Sequence, residues 1–274
     1  MVRKMTAMDR LLREGFFDSR ESALPYLMSG AVFCGGVPVR TGGQPVPPDR
    51  PMTVRGLSDR YVGKGGYKLE GAIRDFGVTV AGRVCIDAGA CTGGFTDCLV
   101  KHAAELVYAV EAGYGQLAGS LSQNPRVVNL ERTNLGDARL LCLEPVPDLG
   151  SVDLSYLSLL KAAPQFSAAM HGRGELLCLV KPLFETEDPQ ARRTGEMKPE
   201  AYLPLLLRLI RELNDQPGTR VLGVTNSPVT GNHGTHEFFL HVALGQGGSA
   251  PDLAAAAEEA VERALRLPLY HKGG

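Results

Sequence analysis

The sequence predicts an α/β protein: a sheet of six parallel strands plus one antiparallel end strand, covered by helices, with a small α+β module ahead of it. Three observations predict this. From residue 67 onward, short apolar runs alternate with segments of helical spacing, and the runs lack in–out alternation, which marks strands buried on both faces of a parallel sheet. The last run follows its predecessor after only residues 226–235, room for a hairpin but not for a crossover helix, so it should run antiparallel. Residues 42–51 (G-G-Q-P-V-P-P-D-R-P) are Gly/Pro-rich loop, and the pattern changes across 59–66.

The elements follow in order. Residues 8–30 carry apolar positions at helical spacing (Leu11, Leu12, Phe16, Leu24, Leu27, Met28), and Asp18-Ser19 is a good N-cap for a second helix. Short strands are expected at 32–33 and 37–39, turned by Gly35-Gly36, and at 52–54. A helix at 67–76 leads to a strand at 84–86. Further strands are expected near 106–110, 126–130, 150–154, 175–180, 219–225 and 236–243, with helices in most gaps. A last helix near 252–266 carries a thin stripe of Leu253, Ala257, Val261 and Leu265 and should dock on its own domain. The expected division is a small domain at 1–58, a linker at 59–66, a sheet domain at 67–246, and a C-terminal helix and tail at 247–274.

The 274 residues are 44% hydrophobic, enough for a real core. The net charge of −1 points to no partner. Its distribution is uneven, however, with ten Lys/Arg against six Asp/Glu in residues 1–64 and nineteen against twenty-four in the rest. A mildly basic N-terminal module is compatible with nucleic-acid contact. The six cysteines form no C-x-x-C pair, so they read as buried free thiols rather than zinc ligands, and no metal site is expected. No apolar run approaches a bilayer span and no signal peptide opens the chain, so a cytoplasmic protein with no membrane partner is expected.

The turn D-A-G-A-C-T-G-G-F-T (87–96) joins a strand to a helix at the sheet edge where open α/β sheets bind small molecules. Its G-x-x-x-G-G spacing differs from the G-x-G-x-x-G of pyrophosphate binders. Glycines there let the backbone approach a ligand closely. Glu111 ends the next strand, where a carboxylate can accept both hydroxyls of a ribose, and Asp87 is a second anion beside the turn. Two anions without a nearby cation disfavour a phosphate-bearing ligand such as NAD. They suit S-adenosyl-L-methionine, which carries a sulfonium, an ammonium and a ribose; a purely structural tight turn is the bland alternative.

Four charges stand at the ends of apolar elements: Lys68, Asp153, Lys181 in L-V-K-P-L-F-E, and Glu237 in T-H-E-F-F-L. The expected topology brings them to the same edge as the glycine turn. With two charges of each sign, such a cluster is tolerable when half-buried. Methylation of a ribose hydroxyl needs that weak acid polarised or deprotonated. Lys181 could act as the base if neutral, or hold the oxygen while the acids steer it; two structural salt bridges are the alternative.

These residues resemble the TlyA, or hemolysin-A-like, ribosomal RNA 2′-O-methyltransferases, a family related to FtsJ. The likeness covers Y-V-G-K-G-G-Y-K-L-E (61–70), D-A-G-A-C-T-G-G-F-T-D-C (87–98), V-Y-A-V-E-A-G-Y-G-Q-L (107–117), E-R-T-N (131–134), V-D-L-S-Y-L-S-L (152–159), L-V-K-P-L-F-E (179–185) and S-P-V-T-G-N-H-G-T-H-E-F (227–238). It implies a Rossmann-like class I methyltransferase sheet and a Lys-Asp-Lys-Glu catalytic tetrad at Lys68, Asp153, Lys181 and Glu237. It also implies cofactor contacts from residues 89–94, Glu111, Asn134 near the adenine, and Asp153. The implied activity is methylation of cytidine 2′-hydroxyls in small- or large-subunit ribosomal RNA, with ribosomal RNA or subunits as partners. Residues 1–60 resemble the ribosomal-protein-S-four-like RNA-binding domain through S-R-E-S-A (19–23) and S-G-A-V-F-C-G-G-V-P-V (29–39). Ala31, Gly35 and Val37 stand where that domain usually carries basic or amide residues. Arg10, Arg13, Arg20, Arg40 and Lys64 remain as candidate phosphate contacts. The alternatives from other classes are an RNA-binding protein with an inactive methyltransferase domain, and a membrane-lytic protein.

Overall fold

The computed structural model describes residues 5–13, 16–17, 20–47, 50–55, 60–231, 234–245 and 250–267. The chain falls into two compact units that divide ahead of Arg60. The first contains strand β1 (Met5–Thr6), helices α1 (Ala7–Arg13) and α2 (Arg20–Met28), and strands β2 (Val32–Cys34), β3 (Val37–Pro38), β4 (Pro45–Val46) and β5 (Met52–Val54). β2 pairs antiparallel with β3 and β5, and β1 with β4. Leu11, Ala23, Leu27, Val32, Val39 and Met52 form its core. Ala23 and Leu27, one turn apart, take the inner side of α2, and Leu24 and Met28, also among the apolar positions at helical spacing, are exposed. The expected N-cap, Asp18-Ser19, lies outside the described residues.

The second unit opens with α3 (Gly65–Phe76) and continues through β6 (Val84–Ala88), α4 (Gly94–Lys101), β7 (Leu106–Glu111), α5 (Gly119–Ser122), β8 (Val127–Glu131), β9 (Leu149–Val152), α6 (Leu159–Ala169) and β10 (Gly174–Val180). There follow α7 (Pro182–Glu185), α8 (Pro189–Thr194), α9 (Tyr202–Asn214), β11 (Thr219–Asn226), β12 (Phe238–Leu244) and α10 (Ala254–Leu265). The seven strands stand in the order β8-β7-β6-β9-β10-β12-β11. β6 to β10 pair in parallel, and β12 is antiparallel to both β10 and β11. This is the Rossmann-like methyltransferase sheet, with one correction. β12 is not an end strand: it fills the gap between β10 and β11. Its Phe238, Leu240 and Val242 are buried on one face and Phe239 on the other, whereas β11 has four half-buried positions and takes the edge.

Residues alternate between two cores. Leu176, Cys178 and Val180 of β10 face α6, α9 and α10, while Leu177 and Leu179 face α3 and α4. A strand needs apolar residues at consecutive positions to satisfy both faces, which explains the unbroken L-L-C-L-V run. Residues 61–66, expected as linker, belong to this unit. Tyr61 is 1% exposed in the core with Phe95, and the helix expected from residue 67 starts at Gly65. α10 packs on its own domain as expected, but through Ala257, Ala260, Val261 and Ala264; Leu265 is exposed. Cys34, Cys85, Cys98 and Cys178 are buried free thiols, whereas Cys91 and Cys142 are exposed.

Candidate active site

The carboxyl ends of β6, β7, β9 and β10 share one edge, and the chain beyond each end builds the site. Gly89 follows β6 with φ +88°, and a Cβ there would lie 2.4 Å from the Asp153 carbonyl oxygen. Only glycine allows the two strand ends this approach. Asp153 N donates to Ala88 O at 3.0 Å, while Gly89 N and Ala90 N donate to Val110 O. At the head of α4, a Cβ on Gly94 would lie 3.1 Å from Gly65 Cα. Two facing glycines therefore let α3 settle on α4, and α3 carries Lys68 into the interior.

The four expected charges converge as two pairs. Lys181, just past β10, pairs its Nζ with Asp153 Oδ1 and donates to Ser155 Oγ at 2.9 Å. Lys68 Nζ pairs with Glu237 Oε2, and these side chains are only 5% and 6% exposed. Burial pushes the Glu237 carboxyl up; Lys68 opposes this, Asp153 adds to it and Lys181 offsets it, so the pairs lie within each other's field. Pro182 occupies the first position of α7, with Lys181 as its N-cap directly after β10.

Asp87 lies beneath the turn rather than in it. It is fully buried, and its oxygens accept the Thr96 and Ser151 hydroxyls at 2.7 and 2.8 Å. Burial pushes its carboxyl up to about 6 against those two bonds, with Asp153 adding repulsion. Asp87 thus positions the turn and is withdrawn from direct ligand contact, correcting the expectation of a second anion facing the cofactor. Glu111 accepts Cys91 N at 2.9 Å and Gly113 N at 2.7 Å. A carboxylate has about four lone-pair sites, so it keeps capacity for ribose hydroxyls. Thr92 is exposed at the turn's tip, Ala90 is buried, Gly93 adopts φ +97°, and Asn134 is exposed beyond β8.

The candidate phosphate contacts separate. Arg10 is a correction: it is 6% exposed and donates Nη1 to the Pro47 and Arg50 carbonyls, the latter at 2.9 Å. Its guanidinium braces a loop and does not face solvent. Arg20 is exposed and paired with Asp9 at 3.0 Å, and Arg40 is exposed. The Arg13 side chain lies outside the described residues. Lys64 stands in the second unit, at the N-cap of α3. Sequence reasoning missed Ser155, Thr96, Ser151 and Glu185. Ser155 could have been found from its place two residues after Asp153; the others carry no signal in a single sequence.

Comparison with known proteins defines the class. The chain belongs to the FtsJ-like methyltransferase family, whose model matches residues 61–244. It is 37% identical to the 16S/23S rRNA (cytidine-2′-O)-methyltransferase TlyA of Mycobacterium tuberculosis, over 97% of this chain and 98% of that one. It is 32% identical to Hemolysin A of Brachyspira hyodysenteriae, over 84% of this chain and 96% of the relative. A solved structure of a hemolysin-named protein from Streptococcus thermophilus superposes with TM-score 0.70 at 29% identity, covering 97% of both chains. Among the described residues no helix is long and apolar enough to cross a membrane.

Proposed function

We propose that the protein transfers a methyl group from S-adenosyl-L-methionine to ribose 2′-hydroxyls, chiefly of cytidines, in ribosomal RNA, and that it does so in the cytoplasm. The observation that carries this is the convergence of Lys68, Asp153, Lys181 and Glu237 beside the glycine turn. Two features of the turn favour the cofactor: Gly89 is partly exposed with φ +88°, and the Glu111 carboxylate accepts the Cys91 N–H at its flank. When bound, S-adenosyl-L-methionine supplies an electrophilic methyl. Gly89, Ala90, Thr92, Gly93, Gly94, Glu111 and Asn134 would hold it.

The remaining work falls to the charges. Lys181, with its side chain 17% exposed, is reachable by a hydroxyl, and Asp153 and Ser155 aim its Nζ. Lys181 meets the 2′-oxygen: when neutral it takes the hydroxyl proton as the methyl is transferred, and when charged it holds the oxygen while the Asp153 carboxylate takes the proton; the dry Lys68–Glu237 pair adds no net charge to the site. The first unit, through Arg20 and Arg40, contributes phosphate contacts in the manner of the ribosomal-protein-S-four-like domain it resembles in sequence. The test is tritium transfer from labelled cofactor to intact ribosomal subunits and to naked ribosomal RNA. Wild type should label at least one and Lys181→Ala neither; no labelling by wild type, or equal labelling by both, sinks the reading.

A further inference from the structure

Glu185 closes the turn that begins at Lys181, and it takes no part in the chemistry above. It is 8% exposed, and its Oε1 accepts the backbone N–H of Leu159 at 2.9 Å. Leu159 is the first residue of α6, and the Ser158 side chain does not cap that helix. A carboxylate from a distant turn therefore supplies the missing cap, where the helix end favours negative charge. Residues 153–158, which end at this cap, carry Asp153 and Ser155. Residues 181–185, which end at Glu185, carry Lys181. The two loops thus meet twice: through Lys181 with Asp153 and Ser155 at one end, and through Glu185 with Leu159 at the other.

The Glu185 turn is itself fixed. Phe184 N donates to Lys181 O and Thr186 N to Pro182 O, both at 2.9 Å, and Arg208 of α9 donates Nη2 to the Glu185 carbonyl at 2.6 Å. Burial pushes the Glu185 carboxyl up against the pull of the Leu159 N–H and the guanidinium groups of Arg208 and Arg192. A buried carboxylate is costly, so its bond to Leu159 is the feature that accounts for it.

We infer that Glu185 is a positioning residue: by tying the Lys181 turn to the head of α6 it sets the span across which Lys181 reaches Asp153 and Ser155. The activity readout rests on the methyltransferase reading above; the structural readout does not. The test compares Glu185→Gln, which keeps reach and acceptor but not charge, with Glu185→Asp, which keeps charge but is one methylene short, and with Glu185→Ala. Methyl-transfer kcat and KM, cofactor affinity by calorimetry, urea midpoints, and the Lys181–Asp153 separation in crystals are measured for each.

Glu185→Gln should stay within about threefold of wild-type kcat, while Glu185→Asp and Glu185→Ala fall about 10- to 100-fold with cofactor affinity unchanged, as expected for a displacement of about an ångström. In the latter two, Lys181 Nζ should move off Asp153. Equal kcat in all four proteins overturns the inference, as does Glu185→Gln failing as badly as Glu185→Ala. Loss of folding in all three variants also overturns it, because the residue would then hold the whole domain. If wild type transfers no methyl to ribosomal RNA, the functional reading fails, and the crystallographic separation alone decides the tether.

Discussion

Lys68 and Glu237 form the driest pair in the site, and a double-mutant cycle on them separates chemistry from scaffolding. Breaking a buried pair by removing one partner costs about 3–5 kcal/mol, because the other charge stays behind uncompensated. The two single variants should not be equal. Lys68→Met leaves a carboxylate whose burial already raises its proton affinity, so Glu237 can take up a proton and limit the loss to about 3 kcal/mol at pH 7, less at lower pH. Glu237→Leu leaves a buried ammonium without its counter-charge, so the loss lies at the upper end of that range, about 4–5 kcal/mol. Lys68→Met/Glu237→Leu buries no charge and should lie within about 1 kcal/mol of wild type. Urea unfolding at pH 7 measures the stabilities, and tritium transfer to ribosomal subunits measures activity. The double variant should be stable and inactive. If it methylates at the wild-type rate, the pair is scaffolding alone; if the single costs simply add to the double's within about 0.5 kcal/mol, the two charges are not coupled and the site geometry is misread.

Lys181→Ala should lower kcat by about 10²–10⁴, the range for losing a positioned proton-transfer group, with cofactor affinity by calorimetry unchanged. Lys181→Arg then assigns the role: arginine stays charged, so recovered activity means that Lys181 holds the oxygen as a cation, and no recovery means that it acts neutral, as base. Glu111→Ala should weaken cofactor binding by about 1.5–3 kcal/mol, roughly ten- to hundredfold; an unchanged affinity places the ribose elsewhere. Asp87, held at about 6 against an ordinary value near 4, binds its proton more tightly folded than unfolded. Its stabilising contribution is therefore complete below about pH 4 and is lost as pH rises through about 6, by at most about 3 kcal/mol. Asp87→Asn should add about 1–2 kcal/mol at pH 7 and nothing at pH 4 in urea titrations, and a gain of the same size at both pH values would contradict the burial argument.

What the sequence showed and withheld follows from the range of the forces involved. Strands β6, β7 and β10 were legible from their apolar runs (V-C-I, L-V-Y-A-V and L-L-C-L-V), because a strand covered on both faces needs apolar residues at consecutive positions. The direction of β12 was legible from loop length, but its place was not: pairing with β10 depends on which strand can least afford an exposed face, a comparison between F-F-L-H-V-A-L and T-R-V-L-G-V-T-N that only the assembled sheet makes. Arg10 was misjudged because arginine on a short helix usually faces water, and the carbonyls that hold it, Pro47 and Arg50, stand about forty residues away along the chain. Asp153, Lys181 and Glu237 stood out because each stands at the end of an apolar strand, and Lys68 because it lies in the first turn of the helix after the hinge, yet their pairing did not. Asp153 and Lys181 follow the ends of the neighbouring parallel strands β9 and β10, so the sheet alone brings them to one edge. Lys68 could not be placed this way, since its position depends on the contact of Gly65 with Gly94, which brings α3 down until its fourth residue meets the chain entering β12. Two hydrogen atoms in place of two side chains thus decide which acid the buried lysine finds, and substitution of either glycine should separate Lys68 from Glu237 before it disturbs Lys181 and Asp153.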